Sequence, residues 1–186
     1  MQIRYRVNVS ASEYNNQKLC EKAELNQCPI HPEGGCGMRR HGTYTRISPI
    51  ELKISCWYCR KGHTLISLLP DFLASRLSGT LKDVEEVVLE AQKHPSLESA
   101  ADKIRPDIEL PGAVRWLRRR IKYVAKILTL SAGILPQFGF KSLKQLQKTF
   151  KVDVVLPHLR EILETHLHKL PHIIGLNPPR LELVNT

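Results

Sequence analysis

The sequence predicts an α+β protein in which a small zinc ribbon, built on an antiparallel β-hairpin, precedes a mainly α-helical region. Two observations predict this fold class. All five cysteines lie in the first third of the 186 residues, and four of them flank a segment rich in β-branched and aromatic residues. Beyond residue 80, apolar residues recur at spacings of three and four, which is the period of a helix packed on one side.

Residues 1–26 are predicted to form a strand followed by a polar linker. Ile3, Tyr5, Val7 and Val9 alternate with polar side chains, and this period of two is typical of a strand with one covered face.

Residues 27–69 are predicted to form the ribbon. Two strand-like runs, 43–47 and 51–58, are separated by Ser48-Pro49, so the sequence predicts a β-hairpin. Cys28 and Cys36 precede the hairpin, whereas Cys56 and Cys59 close it.

Two pairs of thiolates beside turns suit zinc, which prefers four soft or borderline ligands in a tetrahedral site. A closed site also supplies folding free energy that a ribbon with little apolar core needs. We therefore expect zinc to be held by Cys28, Cys36, Cys56 and Cys59.

The first ligand pair is irregular, so an alternative stays open. His31 follows Cys28 with the ordinary spacing of two intervening residues and is the alternative to Cys36, and His63 is a more distant candidate. Cys20 is expected to play no part in the site.

Residues 70–130 are predicted to contain a helix-turn-helix. Apolar spacing predicts helices from Leu81 to about His94, from Leu97 to Ile104 after a Ser96 cap, and from Pro111 to about Leu128. The intervening segment, 105–110, is longer than the tightest helix-turn-helix turn, which favours a looser variant.

The helix from Pro111 to Leu128 carries many cations and no acidic residue. Its apolar positions, Val114, Leu117, Ile121, Val124 and Leu128, share one face. The remaining face is predicted to carry Arg115, Arg118, Arg119, Lys122 and Lys126, with Arg120 at a flank. On a solvated face stabilised by ion pairs, acidic and basic side chains should alternate, and here they do not. This pattern favours contact with an external polyanion, and we expect the helix to lie in the major groove of DNA.

Residues 131–186 are predicted to be a C-terminal helical extension. Helices are expected at about 142–150 and 156–169, followed by a Pro-rich tail.

The whole chain is basic, with 28 Lys and Arg against 18 Asp and Glu, a formal net charge of +10 and a pI near 9.6. Such a balance favours a nucleic-acid partner, here double-stranded DNA, over a membrane surface, for which no lipidation motif is found. No apolar run of about 18 residues and no signal-peptide pattern occurs, so we expect a cytoplasmic protein.

Four segments read together resemble a known family. They are Cys36-Gly37, residues 41–46 (HGTYTR), Cys56-x2-Cys59 and residues 68–72 (LLPDF). Together with the basic run 115–120, they make residues 28–128 similar to small bacterial proteins related to insertion-sequence transposases. The resemblance implies a zinc ribbon joined to a helix-turn-helix, cysteine ligands at Cys28, Cys36, Cys56 and Cys59, and DNA binding associated with mobile elements.

The expected function is therefore DNA binding, as part of a mobile element or as a transcriptional regulator. Arg39, Arg40 and Arg46 on the ribbon are expected to touch phosphates as well. No acidic or nucleophilic constellation suited to catalysis is predicted, so the chain is expected not to be an enzyme. The alternative function is a protein-interaction adaptor that docks a transposase or another subunit and has only non-specific affinity for DNA.

Overall fold

Residues 1–139 and 142–169 are described by the computed structural model, which has the predicted α+β class. They divide into two compact units, Met1–Thr80 and Leu81–His166. The predicted Pro-rich tail lies outside the described residues. Within the described ranges, no helix combines the length and the apolar character needed to cross a bilayer.

The first unit is built on a four-stranded mixed sheet. Its strands are β1 (Gln2–Tyr5), β2 (Arg39–Arg46), β3 (Leu52–Cys59) and β4 (Thr64–Pro70), in the spatial order β1-β4-β3-β2. β1 runs parallel to β4, while β4 with β3 and β3 with β2 are antiparallel pairs. The predicted hairpin is thus confirmed as β2 and β3, and the predicted first strand joins the same sheet.

Both faces of this sheet carry a buried apolar cluster. Because side chains alternate along a strand, Ile66 and Leu68 of β4 face one side with Ile3, whereas Leu52 and Ile54 of β3 face the other. Two short helices cover the second face, α1 (Ala11–Asn16) and α2 (Leu19–Lys22), which contribute Tyr14 and Cys20. Residues 23–38 cover the first face, where the cysteines described below are buried.

The second unit is helical, as the apolar spacing predicts. Its helices are α3 (Leu81–Ala91), α4 (Leu97–Ile104), α5 (Leu110–Ile134), α6 (Leu143–Phe150) and α7 (Val155–Ile162), with a 3-10 turn at Pro136–Phe138. A second 3-10 turn, Glu164–Lys169, begins in this unit and continues past its last residue, His166. The side-chain hydroxyl of Ser96 accepts a hydrogen bond from the Ser99 amide at 3.1 Å, so this predicted cap is confirmed.

Helix α5 continues beyond its predicted end at Leu128. Ser131 lies on the same buried stripe as Val124 and Leu128 and is fully buried, so packing sustains the helix through the small residues Ser131-Ala132-Gly133. At its other end α5 packs on α3 and α4 through Ala113 and Leu117, which meet Ala100 and Ala101 of α4.

Candidate metal centre and basic helix face

Four potential metal ligands come together on the first face of the sheet. They are Cys28, His31, Cys36 and Cys59, and one ligand atom from each lies within 4.8 Å of all the others. The three cysteines are buried and His31 is half-buried. We call this group the Cys₃His cluster.

The Cys28-Pro29-Ile30-His31 turn supplies two of the ligands. The backbone amides of Ile30 and His31 donate hydrogen bonds to the Cys28 sulfur, and His31 Nδ1 lies 4.0 Å from that sulfur. A turn of this spacing brings a thiol and an imidazole to one side of the chain, so His31 is directed at the cluster rather than at solvent.

Two further turns supply Cys36 and Cys59. The Cys36 sulfur accepts a hydrogen bond from the Met38 amide, and the Gly62 amide donates to the Cys59 sulfur at 3.2 Å. A Cβ atom at position 62 would lie 3.2 Å from the His31 ring and 3.3 Å from the Cys59 sulfur. Glycine at this position therefore lets the turn after β3 approach the cluster closely.

Backbone amides directed at sulfur atoms stabilise thiolates, the form that binds metal. Burial raises the pKa of the Cys28 thiol, but hydrogen bonds with the Ile30 and His31 amides and with the His31 and Cys36 side chains together outweigh it and bring this pKa down to about 7. Burial and the neighbouring Cys28 sulfur raise the pKa of the Cys36 thiol. The Cys28 thiol is therefore easier to ionise than an ordinary cysteine, whereas the Cys36 thiol would need a bound cation to ionise readily.

The geometry is compatible with a tetrahedral zinc ion. Zinc bonds of about 2.3 Å to sulfur and about 2.0 Å to nitrogen require separations of about 3.8 Å between sulfurs and about 3.6 Å between sulfur and nitrogen. The Nδ1 atom of His31 lies 3.3 Å from the Cys59 sulfur and 4.0 Å from the Cys28 sulfur, which brackets that value. Four protein ligands would fill the coordination sphere, so such a site is suited to stabilising the fold rather than to activating water.

The structure corrects one predicted ligand, because Cys56 lies away from the cluster. Strand β3 continues without a turn through Cys59, so residues 56 and 59 project from opposite faces of the sheet. Cys56 pairs across the sheet with Ser67, and its sulfur lies 3.6 Å from the Ser67 hydroxyl oxygen. His31 and Cys36, which the sequence offered as alternatives, are both present instead.

The other candidates also lie elsewhere. Cys20 is buried in the apolar cluster on the opposite face of the sheet. The Nδ1 atom of His63 makes a hydrogen bond of 3.2 Å with the Tyr58 hydroxyl.

The predicted basic face of α5 is exposed. Its five cations fall within a sector of about 100° around the helix axis, opposite the buried stripe, at 3.6 residues per turn. All five are exposed to solvent, and no ion pair to any of them is found in the described part of the chain; they are Arg115, Arg118, Arg119, Lys122 and Lys126. From Arg115 to Lys126 they extend about 17 Å along the helix, given a rise of 1.5 Å per residue.

Arg120 points inward rather than to a flank. It is 5% exposed, and its guanidinium carbon lies 3.6 Å from the centre of the Trp116 ring. Burial, with the nearby charges of Arg105 and Arg119, lowers the pKa of Arg120 to about 10. Arg105 also lies over Trp116, at 4.7 Å, and is paired with Asp107 through two hydrogen bonds of 2.7 Å.

The predicted ribbon carries three arginines that we expected to contact DNA phosphates, and these differ in their surroundings. Arg40 donates to the backbone carbonyls of Cys20 and Glu21 at 2.8 Å, and Arg46 donates to those of Ala74 and Leu77. Both guanidinium groups therefore hold segments of the first unit together. Arg39 is exposed, at the start of β2.

Comparisons with protein-family models, with curated proteins and with solved structures gave no match.

Proposed function

We propose that this protein binds double-stranded DNA through the exposed face of α5 and holds a structural zinc ion in the Cys₃His cluster. The observation that carries the proposal is the separation of charge on α5. Five cations share one exposed sector, no acidic residue occurs from Leu110 to Ile134, and the one arginine outside that sector is stacked against Trp116.

Charge of one sign on a helix is unfavourable for the isolated protein because the cations repel one another. A polyanion removes that repulsion and releases counterions from its phosphates, which supplies binding free energy. A helix also fits the major groove, where arginine can bond guanine edges with two hydrogen bonds. Helices α4 and α5, joined by residues 105–109, would then act as a helix-turn-helix in a loose form.

The zinc ion in this proposal stabilises the first unit and takes no part in chemistry. Three thiolates and one imidazole would complete its coordination, with amides of the three turns supporting the sulfurs. The resemblance of residues 28–128 to transposase-related proteins favours a role in a mobile element, with transcriptional regulation as the other setting for the same DNA contact.

The metal site is tested by metal analysis of purified variants. Cys59→Ser should lose the single equivalent of zinc, whereas Cys56→Ser, on the same strand and of the same chemistry, should retain it. His31→Cys should retain metal and, after cobalt substitution, show stronger thiolate-to-cobalt charge-transfer absorption because a fourth thiolate joins. Equal zinc loss in the two serine variants would contradict the proposed ligand set.

DNA binding is tested by measuring duplex affinity over a range of salt concentrations. Replacing Arg115, Arg118 and Arg119 by Ala should weaken binding and lower the slope of log K against log salt by about 2 to 3, since each phosphate contact contributes about 0.9. The control replaces Lys144, Lys148 and Lys151 by Ala, which removes the same amount of positive charge. These three lysines are exposed, on α6 and directly after it. If the two triple variants change the affinity and its salt slope equally, general attraction between charges explains the binding and α5 has no special role.

The adaptor function is separated from DNA recognition by competitor DNA. A preference for particular sequences supports recognition by α5. Weak, uniform binding that disappears with added salt supports the adaptor.

A further inference from the structure

Three ring-bearing side chains form a surface cluster in the first unit, where Tyr58 projects from the face of β3 opposite to Cys59. The His41 and Tyr58 rings have their centres 5.6 Å apart with an interplanar angle of 39°. The Tyr58 hydroxyl and His63 Nδ1 are joined by the 3.2 Å hydrogen bond. His41 and His63 are exposed and Tyr58 is half-buried, so the rings remain accessible from solvent. We call this group the His41–Tyr58–His63 cluster.

The local backbone places these rings. Tyr58 directly precedes Cys59 of the Cys₃His cluster, and His63 follows the Cys59–Gly62 turn in the left-handed region, with φ of 44°. His41 lies where the pairing of β2 with β3 is irregular, between Arg40 and Gly42. Strand β3 and the turn that follows Cys59 therefore hold two of the rings.

The surroundings of the cluster are open and apolar on one side. Leu65, the cross-strand partner of Tyr58, is 42% exposed. A Cβ atom at Gly42 would meet no atom within 4 Å, so the β2 backbone beside His41 is open to a ligand.

The segment that carries the cluster is strongly basic. Residues 34–70 contain six Lys or Arg and one acidic residue, Glu51, a net charge of +5 from 6 − 1. Arg39 is the cross-strand neighbour of Tyr58, and Arg60 and Lys61 lie in the adjoining turn; all three are exposed. Exposed cations therefore lie across from Tyr58 and in the turn after β3, and the strands β2, β3 and β4 contribute no carboxylate.

We propose that the His41–Tyr58–His63 cluster binds unpaired bases of a single-stranded nucleic acid. Tyr58 and His41 offer π faces on which bases stack, and Arg39, Arg60 and Lys61 neutralise the phosphates between them. Bases within a duplex already stack on one another and do not present their faces, so these rings select unpaired segments. The residues of this surface belong to the first unit and include none of α5, so the two contacts can be tested with different variants.

The test measures binding of the full-length protein to fluorescent single strands of about 12 nucleotides, within the range that one binding surface covers. Oligo-dT and oligo-rU arms distinguish DNA from RNA, and binding of either supports the proposal. Tyr58→Leu should weaken this binding about tenfold, while Tyr58→Phe, which keeps the ring, should stay within about twofold. Duplex affinity should not change in either variant.

Controls and a second readout keep the outcome clear. Thr43→Ala, exposed on the same strand as His41, should bind single strands normally, whereas His41→Ala should not. Photocrosslinking of an oligonucleotide containing 5-iodouracil should label peptides that contain Tyr58 or His41. Unchanged affinity in a correctly folded Tyr58→Leu or His41→Ala variant, crosslinks confined to other peptides, or binding of neither oligonucleotide would overturn the proposal.

Discussion

Glu85 is a buried carboxylate that caps a helix remote from it in sequence. Its two oxygens accept hydrogen bonds from the Val155 amide at 2.9 and 2.7 Å and from the Leu156 amide at 2.8 Å, and Gln147 donates at 3.3 Å. The residue at the cap position itself, Val154, makes no side-chain hydrogen bond to α7. Glu85 of α3 therefore satisfies amides that the α7 sequence leaves without a side-chain partner of its own.

Replacing Glu85 should destabilise the second unit strongly. Glu85→Ala leaves the Val155 and Leu156 amides buried without an acceptor, for which we expect a loss of about 2 to 4 kcal/mol in the free energy of unfolding. Urea denaturation followed by circular dichroism measures it. Glu86→Ala, on the exposed side of the same helix, is the control and should cost less than about 0.5 kcal/mol.

Glu85 also makes stability depend on pH. Burial raises its pKa above the ordinary 4.5, against the effect of the amides. The stabilisation that this raised pKa contributes is fully present at pH values below the pKa of Glu85 in the unfolded chain. It is lost as the pH rises through the pKa of Glu85 in the folded protein. The free energy of unfolding of the native protein, measured against Glu85→Gln, should therefore fall as pH increases from about 4.5; a difference that stays constant or rises would contradict this pKa direction.

Arg119 and Arg120 are neighbours in sequence with opposite predicted roles. Arg119 is exposed on the basic face, and Arg120 is buried against Trp116. Arg119→Ala should lower duplex affinity and its salt dependence, whereas Arg120→Met, which removes the same charge, should leave both within about twofold and lower stability instead. Parallel binding and denaturation measurements check the pair, and the reverse order of effects would refute the assigned orientation of the basic face.

At the scale of elements, α4 and α5 approach closely because small residues line their contact. Ala100, Ala101 and Ala113 are at most 1% exposed and surround Leu117. Close packing leaves no space for larger side chains.

Enlarging one of these alanines should destabilise the helix pair. We expect Ala101→Leu to cost about 1 to 3 kcal/mol in the free energy of unfolding because side chains must leave their preferred rotamers. Ala125→Leu, on the exposed side of α5, makes the same change without a neighbour to displace and should be nearly neutral. If chemical denaturation gives equal values for the two variants, α4 does not pack on this face of α5.

At the scale of the whole molecule, the two units differ in what stabilises them. In the first unit, residues 23–38 have little regular secondary structure and cover the sheet through Cys28, Cys36 and a few apolar side chains. The second unit is stabilised by helix packing that involves none of the proposed metal ligands.

Removal of metal should therefore affect the units unequally. A chelator should abolish hydrogen-exchange protection in β2 and β3 while leaving the amides of α3 and α5 protected, because metal binding contributes folding free energy only where its ligands lie. Exchange measured by mass spectrometry before and after chelation resolves the two units. Simultaneous loss of protection in both units would show that they unfold as one.

Much of this protein follows from local sequence patterns. The period of two predicted β1, and two runs of β-branched and aromatic residues around Ser48-Pro49 predicted the hairpin. The period of 3.6 with Ser96 and Pro111 predicted the helices of the second unit. The exposed cations of α5 also follow, because helical spacing fixes which side chains share a face once the apolar stripe is known.

Tertiary structure decided which candidate metal ligands come together and how single charged residues are oriented. Cysteine spacing grouped Cys56 with Cys59, but the pairing of β3 with both neighbours keeps it extended through Cys59 and turns these two side chains to opposite faces. His31 joins the cluster because residues 23–38 fold back over the sheet, and Glu85 reaches α7 across 70 residues. Such contacts depend on which surfaces meet in space, and the residues that form them are too far apart in sequence for any local period to specify.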